Sequence, residues 1–272
     1  MSPDREAVLA WEKRWSRPVA LATLASILLI AAAIAVASQG VGNSSGDSEL
    51  LRNVDAHRGA QLLSSILQAV GVGLLAAPLY YLFRAARARS ATMRGQLVGV
   101  VIAGPLFLAV LAILSGLSNL HAASDFVSNE VPRLMAKGVA LGSDRANEAA
   151  TDTVNEAPLR PLAAGFGIGG QIGFIVGMVY TALHAMRTGL LTRFWGSLGM
   201  ALGAVSFIFF QFTLLWFIYL GLLLMGWVPG GKPPAWQSGA AEPWPSPGEK
   251  AATELSSPPE DPENPADKDQ SQ

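Results

Sequence analysis

Five stretches of this chain carry no Asp, Glu, Lys or Arg: residues 18–46, 59–83, 95–124, 161–186 and 194–231. A bilayer's hydrocarbon core is about 30 Å thick and accepts about 20 predominantly apolar residues as one helix. Each stretch can supply that. No water is present there to satisfy backbone N–H and C=O groups, and an α-helix pairs them within its own segment. Charged residues are 14% of the 272, where a soluble domain carries about 25%. The fold class expected is an all-α membrane protein.

Window length sets the helix count. Helices are expected at about 18–37, 60–83, 96–117 and 162–186. The last window differs, because its apolar part, Trp195–Trp227, is 33 residues long. As one helix it would measure about 50 Å, more than even a 40° tilt absorbs. Two helices, 192–210 and 212–227, fit better, with a turn near Phe210-Gln211-Phe212. A six-transmembrane-helix bundle is therefore expected, with five helices as the alternative.

The first window must also be weighed as a secretory signal. Arg14 and Arg17 precede it, and Ala35-Val36-Ala37 has the small residues of a cleavage site. Its apolar run, Pro18–Ala37, is 20 residues, whereas a signal core is about 7–15. The flank also carries Asp4, Glu6 and Glu12. A retained helix is expected.

Three segments between and after the helices are polar. Ser38–Gly59 is rich in Gly, Ser and Asn and reads as a loop. In the external loop 118–161, Val127, Val131, Leu134 and Met135 share one helical face, which predicts a short amphipathic helix on the membrane surface, interrupted at Pro132. Ser143–Glu156 alternates acids with Ala and Thr and is expected to stay solvated. Residues 228–272 hold ten of the seventeen prolines, eight acids and three lysines. Such a segment buries too little apolar surface to offset its ordering entropy, so a disordered tail is expected.

Basic residues concentrate on alternate connections. Ten lie in the flank 1–17, the 84–94 connection and the 187–193 connection, against six spread over Ser38–Gly59 and Ser118–Pro161. The positive-inside rule places the first set, and so the N-terminus, in the cytoplasm. Six helices return the C-terminus to the same side.

Several chemistries drop out. The chain has no Cys and only three His, at 57, 121 and 184. Thiolate sites, disulfides and paired-histidine metal sites are excluded, and no cofactor is expected. Lys+Arg is 19 against 20 Asp+Glu, which gives nucleic acid nothing to bind. Ser115-Gly116 with His121 could suggest an intramembrane serine protease, but His121 falls at the membrane edge, away from the nucleophile.

The remaining candidates are structural or binding residues. Gly165, Gly167, Gly169 and Gly170 look like a nucleotide loop, yet they open a lipid-spanning segment with no strand before them. Gly169, Gly173 and Gly177 at four-residue spacing, with Gly199 and Gly203, read as helix-packing glycines. Pro78 and Pro105 should kink their helices. Gln68, Gln171, Gln211, Ser115 and Thr181 are polar at membrane depth and none is ionisable, which argues against proton coupling. Interhelical hydrogen bonding is the expected role of Gln171 and Gln211, and a polar pathway is the alternative for which they are candidates. Arg84, Arg87, Arg89 and Arg94, with Arg187 and Arg193, are candidates for lipid head-group contact.

Two segments carry a resemblance: Ala185-Met186-Arg187-Thr188-Gly189-Leu190-Leu191-Thr192-Arg193-Phe194-Trp195-Gly196, and Val228-Pro229-Gly230-Gly231-Lys232-Pro233-Pro234-Ala235-Trp236 with Ala241-Glu242-Pro243-Trp244-Pro245. Together they resemble a family of uncharacterised multi-pass membrane proteins of actinobacteria. That resemblance implies a bacterial plasma-membrane location and a topology, and it transfers no catalytic residue. The expected function is a non-enzymatic membrane protein that binds lipids, a membrane partner or its own copy. The alternative is a small permease for a neutral or lipidic solute.

Overall fold

The uncharged run from Pro18 to Ala37 sits inside a much longer helix, α1 (Pro3–Val41). The structure, a computed structural model, describes residues 3–41, 44 and 46–244. After α1 come α2 (Asp47–Ala56), α3 (Arg58–Leu74), α4 (Ala76–Arg89), α5 (Val98–Asp125), α6 (Val131–Ala136), α7 (Asp144–Glu156), α8 (Arg160–Arg187), α9 (Arg193–Met225) and α10 (Ala235–Ser238). Five helical stretches are long and apolar enough to cross a membrane: Arg5–Ser38, Arg58–Arg89, Gly95–Ala136, Arg160–Arg187 and Arg193–Met225. The chain is a multi-pass, all-α membrane protein.

The fifth stretch is not a straight rod. Phe209 breaks helical geometry at φ −124°, ψ 51°. Beyond it the chain turns back, because Trp195 stacks on Tyr219 at 3.6 Å and Thr213 Oγ1 donates to the Leu202 carbonyl at 3.4 Å. Length decided the split, as the sequence predicts, but the turn falls at Phe209 rather than at Gln211. Each arm holds about 16 residues and measures about 24 Å, less than the hydrocarbon thickness. This hairpin therefore enters and leaves at one face, with its tip inside the bilayer, in place of two full crossings.

Four crossings and the hairpin form a closed ring, in which α1 packs on α3, α3 on α5, α5 on α8, α8 on α9 and α9 on α1. The α5–α8 contact is the closest. Gly104 lies against the backbone of Gly173 and Phe174, and Gly177 lies against Val101, so no Cβ fits between them. Gly170 backs onto Leu108 in the same seam, whereas Gly169 is one position off and meets only the Phe107 ring. The expected seam through Gly169 is thus corrected to one through Gly170, with Gly104 as its partner. Gly199 faces the Trp216 indole within the hairpin, and Gly203 faces Met178 and Val179 of α8.

Pro78 acts where expected. It lacks the N–H that would bond residue 74, and the helix breaks at Leu75 into α3 and α4. Pro105 leaves α5 a single helix.

The two ends of the bundle differ. At the end carrying Arg84–Arg94, here the basic face, residues 228–244 cross the bundle as an ordered strap, contrary to the disorder expected of them. The Trp236 indole donates to the Leu190 carbonyl at 2.9 Å, and Trp244 donates to Leu191 at 3.0 Å. Trp236 also stacks on Tyr81, which stacks on Trp11, at 5.9 and 5.0 Å. Composition averaged over the whole tail predicts disorder, and Trp236 and Trp244 read as residues of the membrane interface; instead both bond open carbonyls of the 187–193 connection. Residues 245–272 of the expected tail lie outside the described residues.

At the opposite end, here the loop face, Ser38–Gly59 contains α2, and Ser143–Glu156 forms α7, which buries Ala146, Ala150 and Thr153. A π-helical turn, Phe126–Glu130, joins α5 to α6. Phe126 and Leu134 pack with Leu51, Val54, Ala146 and Ala150 in a small apolar cluster separate from the main core. Of the expected amphipathic face, Val127, Val131 and Leu134 pack in that cluster, whereas Met135 is exposed. Asn147 ties the cluster together, its side-chain oxygen accepting from the Ser48 N–H at 3.1 Å and the Ser48 hydroxyl at 2.8 Å.

Candidate functional site

Along α3, Gln61, Ser64, Ser65 and Gln68 fall at i, i+3, i+4 and i+7, which sets four polar side chains on one helical face. Ser115 and Asn119 repeat the spacing on α5. These faces look across the bundle at Gln171 of α8 and at Phe210 and Gln211 of the hairpin tip. Between them lies a cavity of about 500 Å³.

Hydrogen bonding divides the lining in two. Gln171 Nε2 donates to Ser206 Oγ at 2.9 Å, which ties α8 to the first arm of the hairpin just below its tip. Ser64 donates to the Ala33 carbonyl and Ser65 to the Gln61 carbonyl. The side chains of Gln68, Ser115, Asn119 and Gln211 make no hydrogen bond to another described residue, so their capacity remains for solvent or ligand. Val72, Leu108, Leu111, Ala112 and Phe210 supply the apolar walls. No ionisable side chain is among the lining residues.

The hairpin closes this cavity toward the basic face. Phe210 lies 5.7 Å from Phe174, and Phe217 lies 6.2 Å from the same ring. Beneath that aromatic layer Trp216 and Leu220 are fully buried. The cavity is thus a blind chamber in the loop-face part of the bundle, its floor made by a chain reversal.

The two glutamines expected on a polar pathway, Gln171 and Gln211, meet in this chamber together with Gln68 and Ser115. The sequence reading named Gln68 and Ser115 as polar at membrane depth without placing them together. Gln61, Ser64, Ser65 and Asn119 were missed, although their helical spacing was visible. His121 is exposed and has no hydrogen bond to Ser115, so no nucleophile–base pair forms. His184 is buried near the basic face, its ring tilted against Tyr180 with centroids 4.4 Å apart, and its Nδ1 has no partner among the described residues. Thr181 is likewise buried and unpartnered.

The arginines expected to meet lipid separate into different roles. Arg89 is no head-group contact, because its side chain is 0% exposed and forms a two-point ion pair with Glu12. Its remaining N–H groups go to the carbonyls of Ala235 and Ala85 at 2.9 Å. Arg84 lies over the Trp11 ring at 4.2 Å. Arg193 donates to the Trp244 carbonyl at 2.9 Å, which engages it with the strap. Arg87, Arg94 and Arg187 are exposed on the basic face. Nearby, burial lowers the pKa of Lys232, and the Glu12 charge acts in the opposite direction. Among the described residues no group of acids and histidines is placed to hold a metal ion.

The site and fold therefore define a class: a multi-pass membrane protein with a neutral polar chamber. No family model, curated protein or solved structure matches the chain, so the family suggested by residues 185–196 and 228–245 is not identified.

Proposed function

We propose that the protein is a non-enzymatic membrane protein that admits an uncharged, hydrogen-bonding solute into this chamber, as a small permease for neutral solutes would. The observation that carries the reading is the convergence of Gln68, Ser115, Asn119 and Gln211, none hydrogen-bonded to another described residue, on one cavity with no ionisable side chain among its lining residues. Gln68, Asn119 and Gln211 are exposed to this space and Ser115 is half-buried, so a ligand with hydroxyl or amide groups would find free donors and acceptors there. An ion would find no countercharge there, and the cost of its desolvation would go uncompensated.

The positive-inside rule puts the basic face, with the N-terminus and strap, in the cytoplasm, and opens the chamber on the external side. Arg87, Arg94 and Arg187 then face anionic lipid head groups. No cofactor takes part in this reading.

The test is swelling of proteoliposomes in gradients of uncharged polyols and amides. Flux above that of empty vesicles is expected, with at least a tenfold loss in Gln171→Leu. Flux equal to empty vesicles for every solute overturns the permease reading.

A further inference from the structure

A second cavity adjoins the chamber at the loop face. Asn119 lines the chamber and also this second cavity, of about 320 Å³. This second space lies between α2 and α7, and Leu50, Leu51, Val54 and Val154 give it apolar walls. Asp47, Asn155 and Arg160 supply its polar lining. The two spaces therefore adjoin at one side chain, and their chemistry differs: neutral polar groups in one, and in the other aliphatic walls beside Asp47 and Arg160.

The roof is held at a fixed spacing. Ser48 of α2 donates twice to Asn147 of α7, the Gly142 N–H donates to Ser48 Oγ at 2.9 Å, and Thr151 donates to Asp47 at 3.1 Å. Such a clamp fixes the spacing of α2 and α7, whose Leu50, Val54 and Val154 belong to one apolar cluster. Pre-formed apolar space beside a polar chamber is the usual form of a small-molecule site.

We infer that the two cavities form one elongated site for an uncharged amphiphile. Its hydroxyl or amide end lies among Gln68, Ser115, Gln171 and Gln211, and its aliphatic end lies under the α2–α7 roof against Leu50, Leu51, Val54 and Val154. Asn119 sits at the junction of the two ends. This rests on the reading of the chamber as a neutral-solute site and adds the apolar half. The same chemistry is offered by a water-borne alkyl glycerol and by a glyceride dissolved in the bilayer.

The chain has no cysteine, so single cysteines report each half in the full-length protein in lipid nanodiscs. Ser115→Cys reports the chamber. Leu50→Cys reports the roof, with Asn155→Cys as a second position should Leu50→Cys fold poorly. The probes are glycerol and 1-O-alkylglycerols of four to eight carbons, and the readout is the rate of maleimide labelling. Glycerol is expected to slow labelling at 115 alone. Octylglycerol is expected to slow labelling at both positions with one half-saturating concentration. Affinity should rise about fourfold per added methylene, and Val154→Asp should remove that dependence while leaving the glycerol effect.

Protection at 115 alone, with no dependence on chain length, overturns the composite site and leaves the neutral chamber standing. No protection at 115 by any probe overturns both. Didecanoylglycerol placed in the disc lipid gives the last arm. Protection of both positions by it supports the site with a lipid-borne ligand, and protection by octylglycerol alone supports the site with a water-borne one.

Discussion

The indole N–H of Trp216 donates to the backbone carbonyl of Trp195 at 2.9 Å, across twenty-one residues of sequence. On a straight helix those residues would stand about 31 Å apart. One hydrogen bond therefore establishes that the last apolar stretch is folded on itself. It also explains why a chamber exists. The hairpin fills the bundle from the basic face up to Phe210 and leaves the space above empty of protein.

The hairpin predicts a cross-link. Leu202 and Thr213 are in contact across the two arms, whereas a straight helix would hold them about 16 Å apart. A Leu202→Cys/Thr213→Cys protein should form an intramolecular disulfide under mild oxidation in the membrane, while Leu202→Cys/Leu223→Cys should not. A failure of the first pair to react would contradict the reversal at Phe209.

Glycine substitutions should separate the seam from its neighbours. A Cβ at Gly104 would run into the backbone of Phe174, and one at Gly199 into the Trp216 indole. Overpacking of this kind costs about 1–3 kcal/mol, so Gly104→Ala and Gly199→Ala should lower the midpoint of thermal unfolding in detergent. Gly169→Ala meets only the Phe107 ring at 3.6 Å and should stay within about 0.5 kcal/mol of the parent. Equal effects at all three positions would refute the seam through Gly170, Gly173 and Gly177.

Legibility of the fold followed the range of the physics. Helix positions came from charge and length, because lipid enforces both locally. The fold-back of residues 193–225 was legible for the same reason, since 33 residues exceed a bilayer. The depth of the reversal was not, because it depends on contacts of Ser206 and Phe210 with α8. All eight polar chamber residues lie on faces readable by helical spacing or are polar residues at membrane depth. Their meeting required the packing order of α3, α5 and α8. The Glu12–Arg89 pair joins residues 77 apart, and no local pattern could single out Arg89 from the other arginines.

That ion pair carries a sharp prediction. Both side chains are removed from water, with 0% and 5% exposure. Glu12→Gln leaves a buried guanidinium without its countercharge, which costs about 3–5 kcal/mol. The double variant Glu12→Met/Arg89→Met removes both charges and should recover most of that loss in chemical denaturation. A double variant less stable than Glu12→Gln would show that the Arg89 bonds to Ala235 and Ala85 outweigh its pairing with Glu12.

The strap and N-terminal helix must share a side of the membrane if Arg89 binds Glu12 and Ala235 together. Four crossings plus a hairpin give that result, and five crossings do not. Single cysteines replacing Glu6, Gln237 and Asp152, all exposed, test it with an impermeant maleimide. With the orientation proposed from the positive-inside rule, Asp152→Cys should react in intact cells, while Glu6→Cys and Gln237→Cys should react only after permeabilisation. Opposite accessibility of positions 6 and 237 would break the hairpin topology. Shared accessibility of those two from outside would keep the topology and reverse the orientation, which would place the chamber's mouth in the cytoplasm.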